Sequence, residues 1–256
     1  MSNRKNIRLV IEYRGSSFAG WQFQPGQSTV QGEIEAAIEK TAGQKVSLHG
    51  AGRTDAGVHA LGQVANFQID HTLEVARYKD ALNYYLPRDI HIRSAEETTP
   101  QFHARFDATW RRYRYLIAVE RSAIYRDLRW ENESAVRREP LDEAATMLLG
   151  EHDFAPFCVT SSLKENNRCM IYQSRWRQVG PLLVYEIRGN RFLHGMVRSL
   201  VGAMVNLAAE QQDKNVSNLT LADFGDTLQG NRPERVVFTA PAHGLYLVAV
   251  GYAEEK

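Results

Sequence analysis

Asp55 lies between two other groups able to hold an anion or carry a proton, Arg53 and His59, within the run GAGRTDAGVHALGQV from Gly50 to Val64. A carboxylate beside a fixed cation stays ionised, because the neighbouring charge lowers its pKa, and it is then available as a nucleophile or base. The same spacing also suits an ion pair that ties a turn together, and the residues alone leave both readings open. The glycines of the run let the backbone take positive φ or approach a ligand closely. The run lacks both the G-x-x-x-x-G-K-[ST] of a phosphate loop and a G-x-G-x-x-G that opens a helix, which disfavours a nucleoside triphosphate or dinucleotide. His59 has no second histidine or carboxylate at metal-ligand spacing and reads as a hydrogen-bonded structural residue.

Such a loop needs rigid elements on either side, and the patterning supplies them. Residues 6 to 13 alternate as a strand, with Ile7, Leu9, Ile11 and Tyr13 on one face. Ser28 with Gln31 reads as a capping box for a helix carrying Val30, Ile34, Ala37 and Ile38, which Gly43 can end. Strands follow near 46–50 and 63–69, then a helix near 73–86 stopped by Pro87, and a strand near 89–95. The order starts again at Arg112: the strand RYRYLIAV, a helix over 141–149, a strand pair at 171–178 and 182–188, helices over 193–209 and 217–229, and the closing strand GLYLVAV. In the first strand of this second set, period two puts Tyr113 and Tyr115 on one face and Arg112 and Arg114 on the other. The predicted class is α+β, two ferredoxin-like β-α-β-β-α-β units with a mostly antiparallel sheet, an N-terminal unit over 1–107 and a C-terminal unit over 108–256. The Asp55 run then joins the second and third strands of the first unit, a place where binding and catalytic groups tend to sit.

Composition narrows the partners. The chain has 256 residues, 43% hydrophobic and 24% charged, enough for a substantial core. The longest apolar run, about 193–209, is interrupted by His194, Arg198 and Asn206, so no membrane span is expected. The start, MSNRKNIRLVIEY, passes directly into a strand pattern without a secretory signal, and cytoplasm is the expected location. Cys158 and Cys169 fit neither a disulfide framework nor a zinc site and read as inert buried thiols. Net charge is +1, but 24 of the 31 basic residues are arginine, the side chain whose planar fork matches phosphate and stacks on bases. Seven arginines fall between His103 and Trp130, and six between Arg168 and Arg198 against Glu186 alone. Two such segments interleaved with Trp and Tyr point toward nucleic acid.

The run GAGRTDAGVHALGQVANF resembles the signature loop of the TruA family of tRNA pseudouridine synthases. Four further segments resemble the same family in order: IEYRGSSFAGWQFQP at 11–25, FHARFDATWRRYRY at 102–115, FLHGMVRSLVG at 192–202 and HGLYLVAV at 243–250. The resemblance implies two similar α+β units joined around a central cleft. It also implies a homodimer that isomerises uridine in the anticodon stem-loop, at positions 38, 39 and 40 in tRNA numbering. Asp55 falls on the family's catalytic aspartate, and Arg53 on the basic residue that helps to flip the target nucleotide and hold its phosphate. Tyr113 falls on the tyrosine that packs against the target base, Arg198 on the arginine that pairs with the catalytic carboxylate, and Leu245 on an apolar residue that lines the pocket. By this resemblance Arg198 is expected to approach Asp55.

The implied chemistry matches the residue types. The N1–C1′ bond of uridine breaks, the base turns, and C5 is joined to C1′, so nothing is consumed and no cofactor is expected. A base within a stem must first be extruded, at a cost of a few kcal/mol that pocket contacts offset. Attack on C1′, addition to C6 of the base and removal of a proton from C2′ each require a charged carboxylate within reach of one nucleotide. Two other classes remain as alternatives: a non-catalytic tRNA-binding module, and a carboxylate-dependent nucleoside or glycoside hydrolase. The hydrolase normally wants a second acid, and none accompanies Asp55 in its loop.

Overall fold

The computed structural model describes residues 4–70, 73–133, 136–209, 220–231 and 238–253. The fold is α+β, and it divides into two compact units: residues up to Thr109 together with those from Tyr246 on, and residues Trp110–Leu245.

In the first unit β1 (Lys5–Tyr13) lies between β3 (His59–Ile69) and β4 (Ile90–Thr98), antiparallel to both. The short β2 (His49–Gly50) pairs with β3. The terminal strand β10 (Leu245–Tyr252) runs parallel to β3, with Tyr246 opposite His59. Ile7, Leu9, Ile11 and Tyr13 are buried, as the alternation of β1 requires. The central strand β3 starts at His59, four residues ahead of its expected start at 63, and is buried nearly throughout. A strand covered on both faces loses the period-two signal by which its ends would be read.

Helix α1 (Val30–Ala42) begins one residue later than a Ser28 cap would place it. Thr29 is the N-cap, in extended conformation, with its Oγ1 accepting from the Gly32 N–H at 3.3 Å. Ser28 instead donates to Glu33, and Gln31 accepts from the Phe23 N–H, so the expected Ser28–Gln31 box does not form. Gly43 ends the helix at φ 68°, its N–H donating to the Glu39 carbonyl. Helix α2 (Val75–Tyr85) stops just before Pro87, and Asn83 fixes it to β4 by a pair of hydrogen bonds with the Ile92 backbone.

In the second unit the strand order is β5 (Ala108–Ala118), β9 (Leu182–Gly189), β8 (Arg168–Val179) and β7 (Gly150–Asp153), all antiparallel. A two-residue strand β6 (Trp130–Glu131) runs parallel to β5. Helices α3 (Arg138–Met147), α4 (Met196–Ala208) and α5 (Leu221–Leu228) complete it. Nearly every residue of α4 is buried, as its apolar composition, broken only by Arg198, Ser199 and Asn206, requires. Thr220 and Asp223 form a reciprocal capping box that starts α5; residues 217–219 of the expected helix lie outside the described residues. Tyr113 and Tyr115 are buried on one face of β5, while Arg112 and Arg114 stand on the other, partly exposed.

Candidate active site

The loop from Gly50 to His59 leaves β2 and enters β3, and it is fastened at several points along its length. The Ala51 N–H donates to Val64, and Gln63 donates through Nε2 to the Gly52 carbonyl at 2.8 Å. The Thr54 carbonyl accepts from the Trp21 N–H at 3.0 Å, and its hydroxyl lies 2.7 Å from the buried Tyr13 hydroxyl. Beyond Asp55 the Val58 N–H closes a turn on the Asp55 carbonyl, with Gly57 at φ 80°. The Gly15 backbone and the Trp21 indole press on the loop so closely that only glycine fits at positions 15 and 50. A Cβ on Gly15 would lie 2.0 Å from the Val58 carbonyl oxygen, and one on Gly50 would lie 2.6 Å from the Trp21 indole.

Asp55 is left half-buried and Arg53 exposed. Among the described residues Arg53 forms no ion pair, so the turn-tying Arg53–Asp55 bridge allowed by the spacing is absent. His59 is structural, as its isolation predicts: its Nδ1 accepts from the Gly15 N–H at 3.0 Å, and its ring stacks on Tyr246 at 4.7 Å. Burial pushes the Tyr246 phenol up to about 12, against the opposing charge of Arg14.

In the second unit Arg198 and Leu245 are tied through residues 240–244, and Tyr113 lies on the same strand as Tyr115, which anchors that segment. Tyr113 is 7% exposed and meets Phe192 edge-on, with ring centroids 5.2 Å apart. Arg198, on α4, donates through Nε to the Ala240 carbonyl at 2.9 Å, while its own carbonyl accepts from the Ala240 N–H at 3.1 Å. The next residue, Pro241, accepts a hydrogen bond from the Tyr115 hydroxyl at 2.7 Å, and this segment leads through a single 3-10 turn to the buried Leu245. The turn passes directly over Tyr115, since a Cβ on Gly244 would lie 2.5 Å from its ring. Burial drives the Tyr115 phenol far up, and the Arg198 charge partly offsets that. Tyr115 is therefore a core residue whose hydroxyl anchors the segment that Arg198 also grips.

Several cations of the arginine-rich segments are committed to carboxylates. Arg114, Arg175 and Arg177 all converge on the Glu186 carboxylate at 3.0, 2.9 and 3.0 Å. Burial works against charge on Glu186, but hydrogen bonds from Arg175 and Arg114 and the charge of Arg177 outweigh it and hold this carboxyl below its ordinary range. Arg168 pairs with Glu151, and its loop is closed by Asn167, whose side chain bonds both ways with the Lys164 backbone. Cys158 and Cys169 are buried, and neither forms a disulfide. Sequence patterning missed three aromatic residues beside the Asp55 loop, His49, His103 and Phe106. The stack joins His49 to His103, far from it in sequence, and the FHARF block carrying His103 and Phe106 gives no periodic signal.

Residues 9–107 and 144–253 match the family model of tRNA pseudouridine synthases. The chain is 40% identical over 258 residues to tRNA pseudouridine synthase A of Rippkaea orientalis, covering 98% of this chain and 84% of the relative. It is 41% identical over 254 residues to the protein of that name from Picosynechococcus, covering 98% and 90%, and 40% identical over 256 residues to that of Brachyspira hyodysenteriae, covering 98% and 99%.

Proposed function

The chain belongs to the family of tRNA pseudouridine synthases, and from that premise we propose how its residues isomerise uridine in the anticodon stem-loop of tRNA. As an enzyme of this family it converts uridine in tRNA to pseudouridine. The reaction preserves the formula of the nucleotide. C1′ loses its bond to N1 and gains one to C5, the hydrogen on C5 departs, and N1 ends protonated.

Asp55 is the carboxylate that acts on the extruded nucleotide, and Arg198 is the cation that pairs with it. Arg53 meets the phosphate of the flipped nucleotide, which its exposure permits. Tyr113 packs against the target base, with Leu245 as apolar lining. Stacking of a base on an aromatic ring is worth about 1–3 kcal/mol, comparable to the unstacking it must offset. The observation that carries this assignment is the fastening of the Gly50–His59 loop. Thr54 and Val58 are locked on either side of a half-buried Asp55, so the backbone that carries its carboxylate is fixed before substrate arrives.

The protein works as a homodimer, in which arginines spread over two copies grip one tRNA without a high net charge. Binding should weaken steeply with salt as phosphate contacts release counterions. The deciding experiment maps pseudouridine in the anticodon arm of tRNA treated with wild-type protein or Asp55→Asn. Wild type introduces the modification and the isosteric amide does not. Binding without any new pseudouridine would leave a tRNA-binding module, and free uracil among the products would indicate a hydrolase.

A further inference from the structure

Residues 102 to 105, between β4 and β5, alternate in direction. Phe102 and Ala104 turn inward, 7% and 0% exposed, and share a buried cluster with Ala51 and Val64 at the base of the Asp55 loop. Two buried asparagines clamp this stretch. Asn6 and Asn66 donate through their Nδ2 atoms to the Phe102 carbonyl at 2.9 and 3.2 Å, and the Ala104 N–H donates to Asn66 Oδ1 at 2.9 Å. From β10 the Tyr252 hydroxyl donates to the Ala104 carbonyl at 2.8 Å.

The pinned backbone projects His103, Arg105 and Phe106 outward. The His103 ring stacks on His49 with centroids 4.9 Å apart at 28°, and Phe106 lies on His103 at 4.3 Å and 37°. Phe106 is nonetheless 75% exposed, and the Arg105 guanidinium carbon lies 5.9 Å from its ring centre. The turn is closed by the His103 N–H donating to Asp107 at 2.8 Å and by His103 Nδ1 accepting from the Arg105 N–H at 3.2 Å. An Nδ1 that accepts belongs to an uncharged imidazole. Burial and the neighbouring His49 hold the His103 pKa below its ordinary value, with Asp107 opposing.

An apolar ring fixed in water, backed by two stacked imidazoles and flanked by a cation, presents the surface that a nucleobase with its attached phosphate requires. We infer that His49, His103 and Phe106 form a platform on which one unpaired base of the tRNA stacks, with Arg105 meeting the adjoining phosphate. The base is one other than the uridine being isomerised, which the reading above gives to Asp55 and Tyr113. The inference rests on the tRNA reading above. It adds a second grip at the foot of the Asp55 loop, which β2 enters directly from His49.

The test uses the full chain with Phe106→Ala, Phe106→Leu and Phe106→Trp, measuring the tRNA dissociation constant, pseudouridine formed per enzyme and melting temperature. Loss of one stack weakens binding by about 5- to 150-fold, the fold-change equivalent of about 1–3 kcal/mol. That loss is expected for Ala and Leu, with Trp near wild type and all three melting alike, since the side chain is largely exposed. Wild-type affinity in the Ala and Leu variants, with wild-type protein active on tRNA, overturns the platform and leaves the enzyme assignment standing. An altered oligomeric mass with unchanged tRNA affinity also overturns it, by making this surface a contact between copies. Failure of wild-type protein to bind or modify tRNA removes both readings.

Discussion

The Tyr13 hydroxyl lies 2.7 Å from Thr54 Oγ1, in a buried hydrogen bond that joins the end of β1 to the residue immediately before Asp55. Tyr13→Phe deprives the Thr54 hydroxyl, 7% exposed, of this partner. A buried polar group left without its partner costs about 1–3 kcal/mol, whereas removing both partners together costs less than the separate losses summed. Urea denaturation of Tyr13→Phe, Thr54→Val and the double variant should therefore give a clearly non-additive cycle. Activity should fall in both single variants, because small displacements of a reacting group cost up to about 100-fold in rate. Additive stability losses would show that this bond does not hold the loop.

Gly50→Ala tests the crowding beneath the same loop. The new methyl would lie 2.6 Å from three atoms of the Trp21 indole, which is 2% exposed and whose backbone N–H holds the Thr54 carbonyl. Trp21 has little room to retreat without releasing Thr54. Overpacking of this kind costs about 1–3 kcal/mol, and at about 2–4 °C per kcal/mol the melting temperature should drop by several degrees. Gly43→Ala is the comparison: it has no neighbour within 4 Å but sits at φ 68°, so its cost is confined to backbone strain at the end of α1 and should spare activity.

Glu186 should make stability depend on pH in the acid range. Its folded pKa is lowered from 4.5 by Arg175, Arg114 and Arg177, against the opposing effect of burial. A carboxyl lowered on folding contributes stability that is fully present above its unfolded pKa and is lost as pH falls through the folded value. The wild type should lose this contribution below about pH 4.5, the ordinary glutamate value. Glu186→Gln leaves three arginines facing one another without a counter-charge. The three are 32%, 57% and 44% exposed, so solvent screens them and the expected loss at neutral pH is about 1–3 kcal/mol, below that of a fully buried pair. Denaturant titrations at pH 7 and pH 4 should show the difference between wild type and Glu186→Gln narrowing at the lower pH.

The legibility of the fold followed the strength of local patterns. β1 and β5 are half-buried, so their alternation correctly separated Ile7, Leu9 and Ile11, and Tyr113 with Tyr115, from the residues on the opposite face. The start of β3 was lost because both its faces are covered. At α1 both Ser28 and Thr29 are good caps by residue type, and the backbone at Thr29, φ −132° and ψ 150°, decides between them. In the Asp55 region the sequence located the loop and its glycines but not what fastens it. Trp21, Tyr13 and Gln63 come from separate elements, and their contacts with the loop are tertiary. The same applies to Glu186, which reads as one acid among arginines until strand register aligns it with Arg114 on β5 and Arg175 on β8.

Arg198→Lys separates charge from geometry at the proposed partner of Asp55. The Arg198 Nε is committed to the Ala240 carbonyl at 2.9 Å, and that bond fixes the plane of the guanidinium and the direction of its remaining donors. A lysine keeps the charge but replaces the planar fork with a single ammonium, which cannot grip Ala240 and orient a fork toward a carboxylate together. A hydrogen bond to a charged group is worth about 1.5–3 kcal/mol, so kcat should fall by about 10- to 150-fold with KM for tRNA little changed. The fold should tolerate the change, because Ala240 keeps its backbone bond to the Arg198 carbonyl and Tyr115 still anchors Pro241. Melting temperature and tRNA affinity near wild type, together with the fall in kcat, would place Arg198 in the reaction. A kcat equal to that of wild type would remove it from the proposed site.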